Sequence, residues 1–192
     1  NACGLLRPVL TSQDGAEAEA DGKALFMASL DALEAYWNLK LGAGQQLIQS
    51  HCPPAIAKLY NHVDDLDADS NLDLRERLDG FKKDWLLIVQ DKSKRKVNNN
   101  NIPQSAIVAL GRTALPNDGK SETPKLDYDV SQAMVQYFQK GKDKQAQYFS
   151  LMALGQIRGE ENRTNLMEAL RKGSKALEKP WAAISLGVLT HL

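Results

Sequence analysis

The sequence predicts an all-α fold, an α-α superhelix in which antiparallel helix pairs stack side by side as a solenoid. A small–Leu–Gly tripeptide occurs at Ala153-Leu154-Gly155 and again at Ser185-Leu186-Gly187, so these two glycines lie 32 residues apart. Gly141 and Gly173 have the same separation. No stretch of useful length alternates apolar and polar residues as a strand would. A helix, a turn and a second helix repeated at a fixed period are typical of stacked helical arrays.

A third copy of the tripeptide, Ala109-Leu110-Gly111, lies 44 residues before Gly155. This unit is therefore about 12 residues longer than the next one. The segment Ala114–Leu126 is rich in Pro, Gly, Asp and Ser, and we expect the extra residues there. Insertions in helical arrays usually form loops on one face.

The three copies also match in the residues that precede each glycine. Larger apolar residues occupy one position of the repeat and small residues another: Val108, Met152 and Ile184, and Ala106, Ser150 and Ala182. Small residues let two helices approach closely, while larger ones fill the space between units. This pattern resembles the HEAT family of helical repeats and the related armadillo-like arrays, most clearly over residues 102–192. The resemblance implies a protein-binding scaffold, but it does not imply a substrate, since the fold has many unrelated roles.

Helical spacing of apolar residues predicts the other helices. The acidic segment Asp14–Gly22 is interpreted as a loop, followed by a helix over roughly Lys23–Leu41. Pro53-Pro54 suits a helix start. Ser70 is interpreted as the cap of a long helix with one apolar face, formed by Leu74, Leu78, Phe81, Trp85 and Ile88. Tyr128–Lys140 is the predicted partner helix in the first clear repeat.

A chain of 192 residues is long enough for one domain with a continuous core. We predict a single domain over 1–192, with irregular helical pairs in 1–101 and regular repeats in 102–192. The first residue is not Met, and neither end carries the polar cap that solenoid ends need. The expectation is a fragment of a longer protein.

The net charge is zero, with 24 basic and 24 acidic residues, but the two parts of the chain differ. From Asp14 to Asp79 there are 13 acids and 5 bases, a net charge of −8. From Gly80 to Leu192 there are 11 acids and 18 bases, a net charge of +7. Such a dipolar chain favours head-to-tail contacts or a partner of mixed charge. Nucleic-acid binders are usually basic overall, so no nucleic-acid partner is expected.

The longest strongly apolar run, Trp85–Val89, is too short to span a bilayer, so no membrane insertion is expected.

The segment Asp65–Glu76 resembles an EF-hand calcium loop. Asp65, Asp67, Asp69 and Glu76 fall at the first, third, fifth and twelfth loop positions, where oxygen ligands are needed. The sequence departs from the pattern at Ser70, since glycine normally makes the sharp turn there. These four acids are the candidate metal ligands, and calcium is the candidate cofactor.

The same acids also fit the start of a helix. Asp67, Asp69 and Asp73 would favour the positive end of the helix dipole, and Ser70 would cap the first turn. The two interpretations differ in whether the segment needs calcium, and both remain open at this point.

No set of residues predicts catalysis, so no catalytic residue is expected. The di-iron hydroxylases that resemble HEAT arrays carry His-Glu metal ligands, and this sequence has no His-Glu pair. Cys3 and Cys52 lack the spacing of a zinc site or a disulfide framework. The basic run Lys92–Lys96 is interpreted as a solvated helix end.

The sequence thus predicts a non-enzymatic scaffold that binds another protein, or another part of its parent chain, in a groove beside the Ala114–Leu126 insertion. The alternative is a calcium-binding helical domain.

Overall fold

The computed structural model describes residues 16–61, 63, 66 and 71–191, and this part of the chain contains helices and no strands. In chain order the helices are α1 Ala16–Trp37, α2 Ala43–Gln49, α3 Cys52–Tyr60, α4 Leu72–Val89, α5 Asn101–Thr113, α6 Lys125–Lys140, α7 Lys144–Ile157, α8 Glu160–Lys172 and α9 Glu178–His191. The prediction of an all-α chain is confirmed for these residues.

Alternate helices pack against each other. α1, α3, α5, α7 and α9 form one row, in which each helix packs on the next. α4, α6 and α8 lie beside this row, with α4 on α5, α6 on α7 and α8 on α9. A single apolar core runs between the two sets, and Ala106, Ser150 and Ala182, the small residues of the repeat, are all fully buried in it.

The first helix begins earlier than predicted, because residues 16–22 are helical rather than a loop. Alternating Ala and Glu in this segment are strong helix formers, which explains the difference. The helix also ends at Trp37 rather than Leu41. There the Gln49 Nε2 atom donates hydrogen bonds to the carbonyl groups of residues 36, 37 and 39, at 2.9–3.0 Å. A side chain from α2 therefore satisfies the last carbonyl groups and fixes the end of α1.

The middle helices follow their sequence signals with one exception. Pro53 and Pro54 lie in the first turn of α3, and the predicted apolar face of α4 is buried at all five of its positions, Leu74, Leu78, Phe81, Trp85 and Ile88. The short helix α2 was not predicted, since Gly42 and Gly44 were interpreted as breakers. In the structure Gly42 instead precedes the first turn as its N-cap, a position that glycine tolerates.

The prediction of a loop within Ala114–Leu126 is confirmed for residues 114–124, since α6 begins at Lys125, and this mostly exposed loop is anchored to the core at two positions. Asn117 and Thr123 are buried within it, and the Asn117 backbone carbonyl accepts a hydrogen bond from the Glu161 N–H at 3.1 Å. The Asp118 carboxylate accepts one from the Glu160 N–H at 3.0 Å. The insertion thus supplies partners for the first N–H groups of α8, whose own N-cap, Gly159, has no side chain to do so.

A buried ion pair joins α4 to α6. The Lys82 Nζ atom lies 2.9 Å from Asp127 Oδ1, and the two side chains are only 5% and 4% exposed. Asp127 Oδ1 also accepts a hydrogen bond from the Leu115 N–H at 3.2 Å. Asp79, a second carboxylate 3.0 Å from Lys82, is 41% exposed. The charge of Lys82 is therefore balanced inside the protein mainly by Asp127.

We expect Cys52 to be unreactive in the folded protein. Its side chain is buried at the start of α3, and burial raises the pKa of its thiol to about 11, although the nearby Arg95 opposes this shift. Because the thiolate is the reactive form, an aromatic disulfide reagent at neutral pH should modify Cys52 only after denaturant unfolds the chain. The measurement uses a Cys3→Ser variant, so that Cys52 carries the single thiol that can react with the reagent. Modification at the same rate with and without denaturant would contradict the buried position.

Candidate functional site

Gly111 and Gly155 lie where neighbouring helices of the main row approach closely. A methyl group built on Gly111 of α5 would lie 2.8 Å from the Cα and Cβ atoms of Ala153 in α7. A methyl group on Gly155 of α7 would collide with the carbonyl oxygen of Ser185 in α9. Ala153 lies two residues before Gly155 in α7, and Ser185 lies two residues before Gly187 in α9. The two contacts therefore join corresponding positions of successive helices in the row.

The corresponding face of α9 has no such neighbour. A methyl group built on Gly187 would meet no atom of the described structure within 4 Å. Ile184 is 53% exposed, whereas Val108 and Met152, its counterparts in α5 and α7, are partly buried. Among the described residues, α9 therefore presents an apolar face at the positions that α5 and α7 each cover with the next helix of the row.

Two grooves lie between the helices beside the row. The α4/α6 groove has a volume of about 650 Å³ and is lined by the ends of α4 and α6, the segment 90–100, and the turn between α6 and α7. The smaller α6/α8 groove has a volume of about 260 Å³ and is lined by α6, α7, α8 and the turn before α9. The Ala114–Leu126 insertion lines neither of these two grooves, which differs from the predicted position of the binding surface.

Polar contacts explain why the grooves open where they do. α4 and α6 are joined by the Lys82–Asp127 pair, near the start of α6. α6 and α8 are joined near their starts by a 3.2 Å hydrogen bond that Asn162 Nδ2 donates to Ser131 Oγ. Residues in the later halves of these three helices line the grooves instead. In the α4/α6 and α6/α8 pairs, a polar contact in the first half of the second helix holds the two helices together. The groove lies between the carboxyl-terminal parts of the same two helices.

One wall of the α4/α6 groove carries two exposed lysines, Lys140 and Lys142. Residues 91, 93, 95 and 97 line the other wall, and the exposed Lys92, Lys94 and Lys96 alternate with them and do not line the groove. Within the described residues none of these five lysines forms an ion pair within 4.0 Å. The lining is mixed, with the buried Ile88, Val89 and Ala133 beside polar residues such as Asn100 and Gln136.

Arg95 differs from these lysines, because its guanidinium group is committed to the protein itself. Its centre lies 4.1 Å from the centre of the Trp37 ring, and Nη1 donates a 2.6 Å hydrogen bond to the Trp37 carbonyl. Gln46 binds the same segment from α2, since its side chain hydrogen-bonds to the Lys96 carbonyl and the Asn98 N–H, both at 2.8 Å. The segment Lys92–Lys96 is therefore anchored at Arg95, while its three lysines are exposed.

Polar side chains in the α4/α6 groove can also bind a ligand by hydrogen bonds. Burial, and then the nearby carboxylates of Asp143 and Asp91, raise the pKa of Tyr137, so its phenol remains a donor at neutral pH. Asp143 is already engaged as the N-cap of α7, where it accepts from the Gln145 N–H at 2.9 Å, and it accepts from Gln104 at 2.6 Å. Because Asp143 is already engaged, this groove offers a ligand more hydrogen-bond donors than carboxylate groups.

Glu178 closes one end of the α6/α8 groove and stabilises the turn before α9. Its Oε2 accepts hydrogen bonds from the N–H groups of Ser174 and Lys175, at 2.9 and 3.1 Å. Its Oε1 accepts one from Lys175 Nζ at 2.7 Å. The hydrogen bond from the Lys175 side chain, more than the other contacts, lowers the pKa of Glu178 against the opposing effect of burial.

We expect the stabilising contribution of Glu178 to be lost in acid. Its pKa is lower in the folded than in the unfolded state, so the contribution is complete above the unfolded pKa and disappears as pH falls through the folded pKa. Melting temperatures of the parent protein and Glu178→Gln, measured from neutral pH to below the carboxyl range, should differ at neutral pH and converge in acid. A constant difference at all pH values would show that the charge of Glu178 does not contribute.

The predicted calcium site stays a prediction, because most of its ligands fall outside the described residues. Asp65, Asp67 and Asp69 lie outside the described residues. Glu76 lies in the second turn of α4, which begins at Leu72. Within the described part of the chain, no three His, Cys, Asp or Glu side chains form a group that could hold a metal ion. Ser70, the predicted cap, also lies outside the described residues, and Asn71 occupies the N-cap position of α4.

The apolar spacing of Trp37, Trp85 and Trp181 predicts that all three pack in the core, and this is confirmed for Trp37 and Trp85, which are buried. Trp181 is only partly buried and stacks on Tyr148, with ring centres 5.9 Å apart.

The α4/α6 groove was not predicted, because its two walls are about 50 residues apart in the sequence and neither has an unusual motif. The basic run Lys92–Lys96 was the single available signal for it.

Comparison with known proteins gives no assignment: no protein-family model matches the chain, and no curated protein matches it significantly. None of the described helices combines the length and the apolar character that crossing a bilayer requires.

Proposed function

We propose that this chain is a HEAT-like α-solenoid domain without catalytic activity, and that it binds another protein or another part of its parent chain. One observation carries the proposal: α9 has an apolar face that no other described residue covers at Gly187, and this face corresponds to the faces of α5 and α7 that the next helix covers. The close approach of Gly111 to Ala153, and of Gly155 to Ser185, supports stacking in a regular array. Gly187 and Ile184 occupy the same register in α9.

The chemistry of this face favours a helix as the binding partner. Inside the protein, each equivalent face contacts a helix that places Ala or Ser beside the glycine. Small residues at this point allow the backbones to come together and bring larger side chains into contact. Ile184 would then be buried as Val108 and Met152 partly are. Removing one such apolar side chain from water contributes roughly 1.5–3 kcal/mol.

Site-specific photo-crosslinking tests this proposal. A photoreactive amino acid is placed at Ile184 on the α9 face or at Gln136 in the α4/α6 groove, with Glu122 in the insertion as the exposed control. The tagged protein is irradiated in an extract of its source cells, and crosslinked peptides are identified by mass spectrometry. We expect one defined protein, or one segment of the parent chain, at Ile184 or Gln136 and not at Glu122. Equal crosslinking at all three positions would overturn the proposal.

A further inference from the structure

We propose that the exposed face of α9 binds a second copy of this chain, through the outer face of α1, so that the main row continues from one copy into the next. This inference rests on the proposed protein-binding function and names the partner. The α9 face consists of Ile184 and Gly187 with the exposed Pro180 and Ala183 beside them. One face meets a different face in this contact, so the association is head to tail.

The outer face of α1 consists of small residues. Three exposed alanines lie on one side of this helix, and each is two positions from a buried core residue: Ala28, Ala32 and Ala35, beside Phe26, Leu30 and Trp37. Two positions correspond to about 200° around a helix, so the alanines face away from the core. α1 therefore presents a smooth face on the side opposite to its own packing surface.

Contacts inside the row provide the template for this pairing. Two small residues three positions apart are buried on each of α7 and α9: Ser150 and Ala153, and Ala182 and Ser185. The second residue of each pair meets the glycine of the preceding helix in the row. Ala32 and Ala35 have the same separation on α1. Such a pair allows a helix to approach Gly187 closely and to bury Ile184.

Charge complementarity favours contact between α1 and α9 over contact between two α9 faces. The sequence of α1 contains five acids and one base, a net charge of −4, of which Arg77 pairs with two acids. In the segment 168–191 both acids are paired, with Lys172 and Lys175. This leaves Arg171 and Lys179 exposed, without an ion pair within 4.0 Å among the described residues.

The direction of the helices brings these opposite charges together. α5, α7 and α9 run in the same direction, because residues in the second half of one helix meet residues in the second half of the next. An α1 that continues the row in this direction places its acidic start, residues 17–21, at the same end of the contact as Arg171 and Lys179. Added salt should weaken the association, since exposed charges are screened.

Sedimentation velocity of the purified chain over a range of concentrations provides the test. The test variants are Ile184→Glu on the α9 face and Ala35→Glu on the α1 face. The matched control is Leu87→Glu, which places the same charge at an apolar position of α4 that is 42% exposed. Circular dichroism checks that the variants are folded, and Ile184→Ser or Ala35→Gln replaces a test variant that is not.

We expect the mass of the unsubstituted chain and of the control to rise with concentration without stopping at a dimer, because a head-to-tail contact leaves one free face at each end. Each test variant should need roughly tenfold to a hundredfold higher concentration to associate, as expected for a buried apolar side chain. An equimolar mixture of the two test variants should form dimers that grow no further, since the mixture retains one intact face of each kind.

A monomeric unsubstituted chain, undiminished association of Ala35→Glu, or a mixture that does not dimerise would overturn the inference. Undiminished association of Ala35→Glu would show in particular that α1 is not the partner of the α9 face. Crosslinking of a different protein at Ile184, together with a chain that stays monomeric in the centrifuge, would retain the proposed function and reject this inference alone.

Discussion

Replacing Asp127 with alanine is expected to lower the free energy of unfolding by about 3–5 kcal/mol, the usual cost of removing one partner of a buried ion pair. Lys82 would remain buried, and its other carboxylate contact, Asp79, is largely solvated. The Leu115 N–H would lose its acceptor as well. Chemical denaturation followed by circular dichroism measures the change directly, and the transition should move to markedly lower denaturant concentration.

Two further variants identify the cause of that loss. Asp79→Ala removes the more exposed carboxylate and should cost less than about 1 kcal/mol, as exposed ion pairs do. The double variant Lys82→Met/Asp127→Leu removes both charges and should recover much of the stability lost in Asp127→Ala, because buried ion pairs are often replaceable by apolar residues. If Asp127→Ala and Asp79→Ala unfold at the same denaturant concentration, the pair is not desolvated as the structure indicates.

Alanine substitutions at Gly155 and Gly187 are expected to change stability in opposite directions. At Gly155 the new methyl group collides with the Ser185 backbone carbonyl, which cannot move without displacing α9. We expect a loss of about 1–3 kcal/mol, as for other overpacked positions. At Gly187 the methyl group meets no atom of the described structure, and alanine should stabilise the helix by up to about 1 kcal/mol.

Thermal unfolding of the two variants side by side gives the comparison. The substitution is the same and both glycines lie inside helices, so the intrinsic gain in helix propensity is common to both. The difference between them therefore reports the close approach of α7 to α9. Gly111→Ala should also lose stability, but less than Gly155→Ala, because part of its contact is with the flexible Gln156 side chain. Stabilisation by both Gly155→Ala and Gly187→Ala would show that α7 and α9 are not packed this closely.

Local sequence patterns determined the helical character of this protein and the glycine contacts of its main row. The spacing of Leu74, Leu78 and Trp85 specifies one apolar helix face without reference to the rest of the chain. The matched positions of Gly111, Gly155 and Gly187 predicted similar surroundings for all three, as a repeat would give. Gly111 and Gly155 lie against a neighbouring helix, whereas Gly187 meets no described atom within 4 Å. Helix ends were less predictable: α1 ends at Trp37 because Gln49, from another helix, satisfies its carbonyl groups.

Only the tertiary structure decided which polar residues meet. Lys82 and Asp127 are 45 residues apart, and so are Asn117 and Asn162, which share a buried hydrogen bond. The lysine-lined groove is formed in the same way by segments distant in sequence. Helix periodicity depends on neighbours a few residues away, so the sequence carries it locally. Ion pairs, caps and grooves depend on how whole helices are placed, and that placement minimises exposed apolar surface over the entire chain.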